Sequence, residues 1–246
     1  MSKQGSRTWS YYHLREALAR PDCALCHLRA KIARQYLDGL LWESVNDEGL
    51  RRQIRQAHGF CREHAAVLAR PGSALGVAIF SNDVLRHLLR ALDDASYDAL
   101  PPLSLRRVRE GLHSSEPASA TAALAAELAP EAPCPACRQA DEHEALYLDA
   151  FLEHLPADDE FRDLFFASDG LCLPHLRQAL ARVRGRAAFQ ALVEAQRAIW
   201  QRLAGELEEQ IRKTDWRYRD EPRGDESGAW LRALAALSGA LPDDLA

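Results

Sequence analysis

Pro21-Asp22-Cys23-Ala24-Leu25-Cys26-His27-Leu28 sets two cysteines three positions apart at the head of an amphipathic run. Leu25, Leu28, Ile32, Tyr36, Leu40 and Glu43 follow in steps of three and four, the period of one helix face. A proline and an aspartate just before the run suit a helix start, so the cysteine pair belongs at a helix N-terminus. The same arrangement returns in Pro133-Cys134-Pro135-Ala136-Cys137, followed by Ala140, Glu144, Tyr147, Phe151 and His154. No stretch alternates with period two for long enough to predict a strand. The expectation is an all-α protein.

Each cysteine pair is followed at the same distance by Gly-x-Cys-x-x-His: Gly59, Cys61 and His64, then Gly170, Cys172 and His175. Every one of these residues reaches its counterpart by an offset of 111, and all six cysteines are used. Between Cys23 and His64, eleven of 42 positions match their counterparts, including Tyr36/Tyr147, Asp47/Asp158 and Arg51/Arg162. Average residue usage would give roughly two or three matches by chance. The reading is two pseudo-repeat helical units, each with one Cys3His metal site, plus a C-terminal helix.

Thiolate and imidazole are good donors for zinc, which favours four ligands in a tetrahedron. Grouped within each half, the sites would be Cys23, Cys26, Cys61 and His64, and Cys134, Cys137, Cys172 and His175. Exchange of ligands between halves stays open, because a repeat fixes ligand sets by analogy and not by contact. Four protein donors close the coordination sphere, so structural zinc is favoured over a catalytic ion, which keeps a position for water. An iron–sulfur cluster is the lesser alternative, since such clusters usually take four cysteines. Disulfide cycling of Cys-x-x-Cys is another, but it leaves the matched Cys-x-x-His unexplained. Cys23 to His27 fits a haem-attachment string, yet its counterpart ends in Arg138. Glu63 beside His64 faces Pro174 in the other copy, so no general base is repeated, and no catalytic residue is assigned.

The organisation expected is a first metal-binding unit over 1–100, a Pro/Ser/Ala-rich connector over 101–133, a second unit over 134–213, and a tail with a helix over 214–246, with the two halves packing as one domain. Short helices are expected from Asp47 to about Ala57 and from Asp158 to about Ala167. Helices should also begin near Cys61 and Cys172. Leu85, Leu88 and Leu92 should line one face of a later helix; Phe189, Leu192, Gln196, Ile199, Leu203, Leu207 and Ile211 should line another. The cluster Asp141-Glu142-His143-Glu144 could dress a further metal, but a solvated helix face is the favoured reading.

The chain of 246 residues is 47% hydrophobic and 27% charged, ordinary for a globular protein that can bury a core. Its net charge of −5 would become −7 with two zinc sites, each setting three thiolates against a divalent ion. That balance argues against nucleic acid as a partner. The longest apolar run, Ala74 to Phe80, is too short to span a bilayer. The first residues lack an apolar export segment, so a cytoplasmic location with reduced thiols is expected, and no membrane partner.

After the last long helix comes Lys213-Thr214-Asp215-Trp216-Arg217-Tyr218-Arg219-Asp220-Glu221-Pro222-Arg223-Gly224. From Arg212 to Glu226 it balances five basic against five acidic residues. That balance suits a folded-back tail held by Arg–carboxylate pairs. The sharper alternative is a ligand or partner surface of Trp216, Arg217, Tyr218 and Trp230. The paired cysteine motifs followed by Lys-x-Asp-x-Arg-Tyr-x-x-Glu-Pro-x-Gly resemble a bacterial family, domain of unknown function 6062, from about Arg15 to Leu234. The resemblance implies a bacterial, mostly helical protein and carries no activity. The function expected is a zinc-stabilised, non-enzymatic interaction or regulatory module with a protein or small-molecule partner. Its competitors are a thiol-redox or iron–sulfur protein, and an enzyme or binding protein using a C-terminal aromatic and arginine pocket.

Overall fold

In a computed structural model of the chain, residues 8–43, 45–95, 120–218 and 220–239 are described, and all their regular structure is helical. Contacts divide the chain into two units, Met1–Ile32 with Ala140–Ala246, and Ala33–Gln139. The units therefore do not follow the halves of the sequence. Both boundaries fall inside long helices, α2 (Ala24–Glu43) and α7 (Pro135–His154).

The first unit holds α1 (Trp9–Leu18), the start of α2, most of α7, α8 (Asp159–Ala167), α9 (Leu173–Arg182), α10 (Arg186–Thr214), a 3-10 turn at Asp225–Gly228 and α11 (Ala229–Ser238). Its core joins Tyr11 and Leu14 of α1, Leu25, Leu28 and Ile32 of α2, and Tyr147, Phe151, Phe161, Phe165 and Leu192. Phe151 meets Phe165 edge-on at 4.9 Å and Phe161 at 5.8 Å, a geometry that suits the aromatic quadrupoles. Tyr11 donates to Asp158 at 2.8 Å, so its hydroxyl is satisfied although the ring is buried. Along α10 the sequence stripe is borne out at Leu192, Gln196 and Ile199, while Phe189 and Ile211 are exposed.

The second unit holds the rest of α2, α3 (Glu48–Gln56), α4 (Arg62–Leu68), α5 (Ala74–Asp93), α6 (Ala120–Glu127) and the first turn of α7. One cluster packs Leu40, Ile54, Phe80 and Val84; another packs Leu37, Leu68 and Ala136. The stripe of α5 differs from the expected one. Phe80 and Val84 are buried, whereas Leu85 and Leu92 are exposed. A connector over 101–133 is described only from residue 120, where α6 lies; residues 101–119 fall outside the described residues.

Three helix starts recur 111 positions apart: Ala24 and Pro135, Glu48 and Asp159, Arg62 and Leu173. Asp47 and Asp158 open α3 and α8 as N-caps, accepting from Leu50 N at 2.6 Å and Phe161 N at 3.1 Å. Their recurrence therefore has a local cause, an oxygen that satisfies an orphan N–H of the first turn. None of the described helices is long and apolar enough to cross a membrane.

Candidate metal centres

The eight cysteine and histidine donors gather into two groups, Cys23, Cys26, Cys172 and His175, and Cys61, His64, Cys134 and Cys137. Within each group the donor atoms all lie within 4.8 Å of one another. This corrects the grouping expected from the sequence. Each cysteine pair is completed by the Cys-x-x-His of the other half, so the exchange left open is the arrangement found. Each group lies inside a single unit.

Helix starts do the positioning. Cys23 precedes α2 and Cys26 occupies its first turn, while Cys134 and Cys137 repeat this at α7. Cys172 is the N-cap of α9 and Cys61 that of α4, both extended, with the histidine one turn on. The loops entering these caps turn at Gly59 and Gly170, whose φ of +99° and +77° lie in the left-handed region. Gln196 leaves no room for a Cβ at Gly170; its side chain accepts from Leu171 N at 2.9 Å and donates to Leu171 O at 3.1 Å.

In the first site, His175 Nδ1 lies 3.4 Å from Cys23 Sγ, 3.4 Å from Cys26 Sγ and 3.1 Å from Cys172 Sγ. Cys26 Sγ and Cys172 Sγ are 3.7 Å apart. In the second, His64 Nδ1 lies 3.1 Å from Cys61 Sγ, 3.6 Å from Cys134 Sγ and 3.3 Å from Cys137 Sγ, and Cys61 Sγ is 3.7 Å from Cys137 Sγ. A tetrahedron with zinc bond lengths would give sulfur–sulfur edges of about 3.8 Å and sulfur–nitrogen edges of about 3.6 Å. The donor sets fit a single four-coordinate ion. No disulfide joins any of the six cysteines, and the Cys26–Cys172 and Cys61–Cys137 sulfurs stand 3.7 Å apart, well beyond a covalent S–S bond of about 2.05 Å.

Such crowding disfavours ionisation until a cation supplies the balancing charge. Burial and the neighbouring Cys172 and Cys26 push the Cys23 thiol well up. Burial and Cys61 with Cys134 push Cys137 up to about 12. Burial disfavours a charged His175, yet its hydrogen bonds to Cys172, Cys26 and Glu144 raise it to about 11.

Glu144 is the residue that sequence reading missed. The polar run Asp141–Glu144 suits a solvated face, but Glu144 is 5% exposed, and its Oε1 lies 3.2 Å from His175 Nε2. A ligating imidazole ordinarily gives its second N–H to such a carboxylate, which turns Nδ1 toward the ion. Arg29 of α2 bridges Glu144 and Asp141. Burial would raise the Glu144 carboxyl, but His175 and Arg29 hold it down at about 2. The signal was present: Glu144 falls on the apolar stripe between Ala140 and Tyr147, where a charge needs a buried partner.

The C-terminal surface residues are held by their own partners. Arg217 forks onto Asp215, with Nη2 at 2.6 Å from Oδ2, and the Arg212 guanidinium sits 4.5 Å from the Tyr218 ring centre. Arg212 also pairs with Glu209 and Glu221, while Lys213 reaches Glu226 at 2.8 Å and Pro222 O at 2.7 Å. Trp216 is 78% exposed and Trp230 50% exposed, so Trp216 does not wall an enclosed cavity.

A family model described as a family of unknown function (DUF6062) matches residues 13–244. An uncharacterized 23.9 kDa protein in the xynA 3' region of Caldicellulosiruptor sp. (strain Rt8B.4) is 25% identical over 218 residues, 88% of this chain and 95% of the relative. No solved structure matches. The chain belongs to the DUF6062 family.

Proposed function

We propose that this member of the family holds two structural zinc ions, one in each Cys3His cluster, and serves as a non-enzymatic interaction or regulatory module. The observation that carries the zinc reading is the donor geometry, with one sulfur pair in each site 3.7 Å apart, each imidazole nitrogen within 3.6 Å of three sulfurs, and all donors within 4.8 Å of one another. An iron–sulfur cluster places several irons and bridging sulfides between its terminal ligands and needs a wider opening than this. Four protein donors per ion leave no coordination position for a substrate, which supports a structural role. The negative net charge supports a protein or small-molecule partner over nucleic acid, and six free thiols suit a reducing compartment.

We further read the two halves as a duplication whose ligand motifs became shared crosswise. The matched helix starts and the recurring aspartate caps support this. Elemental analysis of protein purified without oxygen tests the zinc reading. Two zinc per chain and no visible absorption are expected. Iron with visible absorption, or a folded protein without metal, would overturn it.

A further inference from the structure

We infer that the Cys23–Cys26–Cys172–His175 site is redox-sensitive: a hydroperoxide oxidises Cys26, Cys172 closes a disulfide onto it, and the ion leaves. The inference rests on the reading that this cluster binds zinc. It adds a modification site and a class of reactant that a purely structural ion does not need.

A cavity of about 410 Å³ lies against this site, within the first unit. Cys26 and Cys172 both line it, whereas Cys23, the third sulfur, is buried and does not. Cys26 is the half-buried one of the three and sits in the first turn of α2. The unpaired N–H groups of that turn favour the thiolate, the form that attacks a peroxide. Ser238 and Gly239 at the end of α11 form one wall of the cavity, and a Cβ on Gly239 would come within 3.7 Å of Cys26 Sγ. The polar lining beyond, with Arg29, Asp141 and Gln178, admits a small, water-miscible oxidant.

The Cys26 thiolate attacks one oxygen of hydrogen peroxide, the O–O bond breaks, and hydroxide leaves a sulfenic acid on the sulfur. Cys172 Sγ, 3.7 Å away and beside the same imidazole, then attacks that sulfur and expels a second hydroxide. Two thiolates and one peroxide give one disulfide and two hydroxide ions, with two electrons passing from sulfur to oxygen. The sulfurs must close from 3.7 Å to about 2.05 Å, a movement that side-chain rotation supplies once no ion stands between them. Only Cys23 and His175 then remain as donors, too few for a tetrahedral zinc site. The disulfide joins the start of α2 to the start of α9, as the ion did. The unit thus loses its metal and keeps its cross-link, whereas a bond inside the Cys-x-x-Cys pair would tie only a single turn.

Hydrogen peroxide added to the zinc-loaded full-length protein, followed by peptide mass mapping without reduction, tests the inference. A peptide pair linking Cys26 to Cys172 is expected, and reductant with added zinc should restore the starting mass and metal content. Cys61→Ser, which keeps this site alone, should release one zinc per chain in step with that cross-link. Cys23→Ser should still form the cross-link, since Cys23 takes no part in it. If a variant loses its helical circular dichroism, the wild-type map still decides. A Cys23–Cys26 link, zinc released with no Cys26–Cys172 link, or full retention of zinc in excess peroxide would overturn the inference while leaving the zinc reading intact. A chain that carries no zinc at the outset would overturn the zinc reading itself, and the release step with it.

Discussion

Cys26 and Cys172 stand 146 residues apart in the chain, yet their sulfurs are 3.7 Å apart, each beside the same imidazole. Crosswise completion of the sites follows from this pair and its counterpart, Cys61 with Cys137. It separates two ligand assignments that single substitutions cannot. Cys26→Ser/Cys172→Ser removes two donors from one site and should leave one zinc per chain. Cys26→Ser/Cys61→Ser removes one donor from each and should leave neither site whole. If the sites formed within the halves, the two double variants would exchange results. Zinc content of folded protein is the measurement.

An ion that joins such distant positions acts as a cross-link. In the chain-entropy treatment, closing loops of this length is worth about 4 to 5 kcal/mol per link, an upper bound because metal bonds can also form in the unfolded chain. Stripping both ions with a strong chelator should therefore lower the melting temperature by more than ten degrees, an order-of-magnitude expectation for a domain of this size. Re-addition of zinc should restore it. A melting curve indifferent to the chelator, with metal loss verified, would mean that the cores hold the helices without the ions.

Gly59 and Gly170 occupy corresponding positions with different surroundings, which makes alanine a graded test. Both have positive φ, so each substitution meets the left-handed penalty of about 1 to 2 kcal/mol. A Cβ at residue 59 would meet nothing within 4 Å, but at residue 170 it would come within 2.8 Å of Gln196 Nε2. Gln196 is buried and tied twice to Leu171, so it cannot swing away without loosening the turn into Cys172. Gly170→Ala should destabilise the protein clearly more than Gly59→Ala in urea unfolding. Equal effects would show that Gln196 yields without consequence.

The fold class was legible because helix period and cap chemistry are local. Leu25, Leu28 and Ile32 declare a face within eight residues, and Asp47 and Asp158 announce their helices. The eight residues that gather into the two donor clusters were equally plain from spacing. Their partnership was not, because an offset of 111 matches Cys26 with Cys137 while saying nothing about which Cys-x-x-His lies nearer in space. Glu144 was missed for a related reason. Its partner His175 lies on another helix, and the polar run Asp141-Glu142-His143-Glu144 made the segment look solvated. The α5 stripe was misread because Leu85 and Leu92 also keep helical spacing, and periodicity alone cannot choose between two overlapping apolar faces.

Lys213 ties the tail motif to the turn that follows it. Its ammonium bonds the buried Glu226 carboxylate and the Pro222 carbonyl, and Glu226 also accepts from Gly224 N at 2.9 Å. Lys213→Ala should loosen the 3-10 turn and α11 that follow, leaving α10 intact. Hydrogen exchange is the probe: amides of Ala229–Ser238 should exchange faster, with those of Leu192 to Ile199 unchanged. Unaltered exchange in α11 would show that its packing, and not the lysine, holds the tail.

Asp83 of α5 receives two arginines from α3, Arg55 Nη1 at 2.5 Å and Arg51 Nε at 3.3 Å from the same oxygen. Burial tends to raise its carboxyl, but the two guanidinium groups outweigh it and hold the group below its ordinary 3.8. A carboxyl depressed by folding contributes stability that is fully present above the unfolded value. The contribution disappears as pH falls through the lower, folded value. Asp83→Asn should therefore cost about 1 kcal/mol at neutral pH, the scale of a partly exposed pair. The gap to wild type should narrow once the pH drops below 3.8. Acid also competes with metal for the thiolates, but it does so in both proteins, so the difference between their unfolding curves isolates the carboxylate. A gap that stayed constant from neutral pH to the acid limit would mean that Asp83 acts through packing or neutral hydrogen bonds instead of charge.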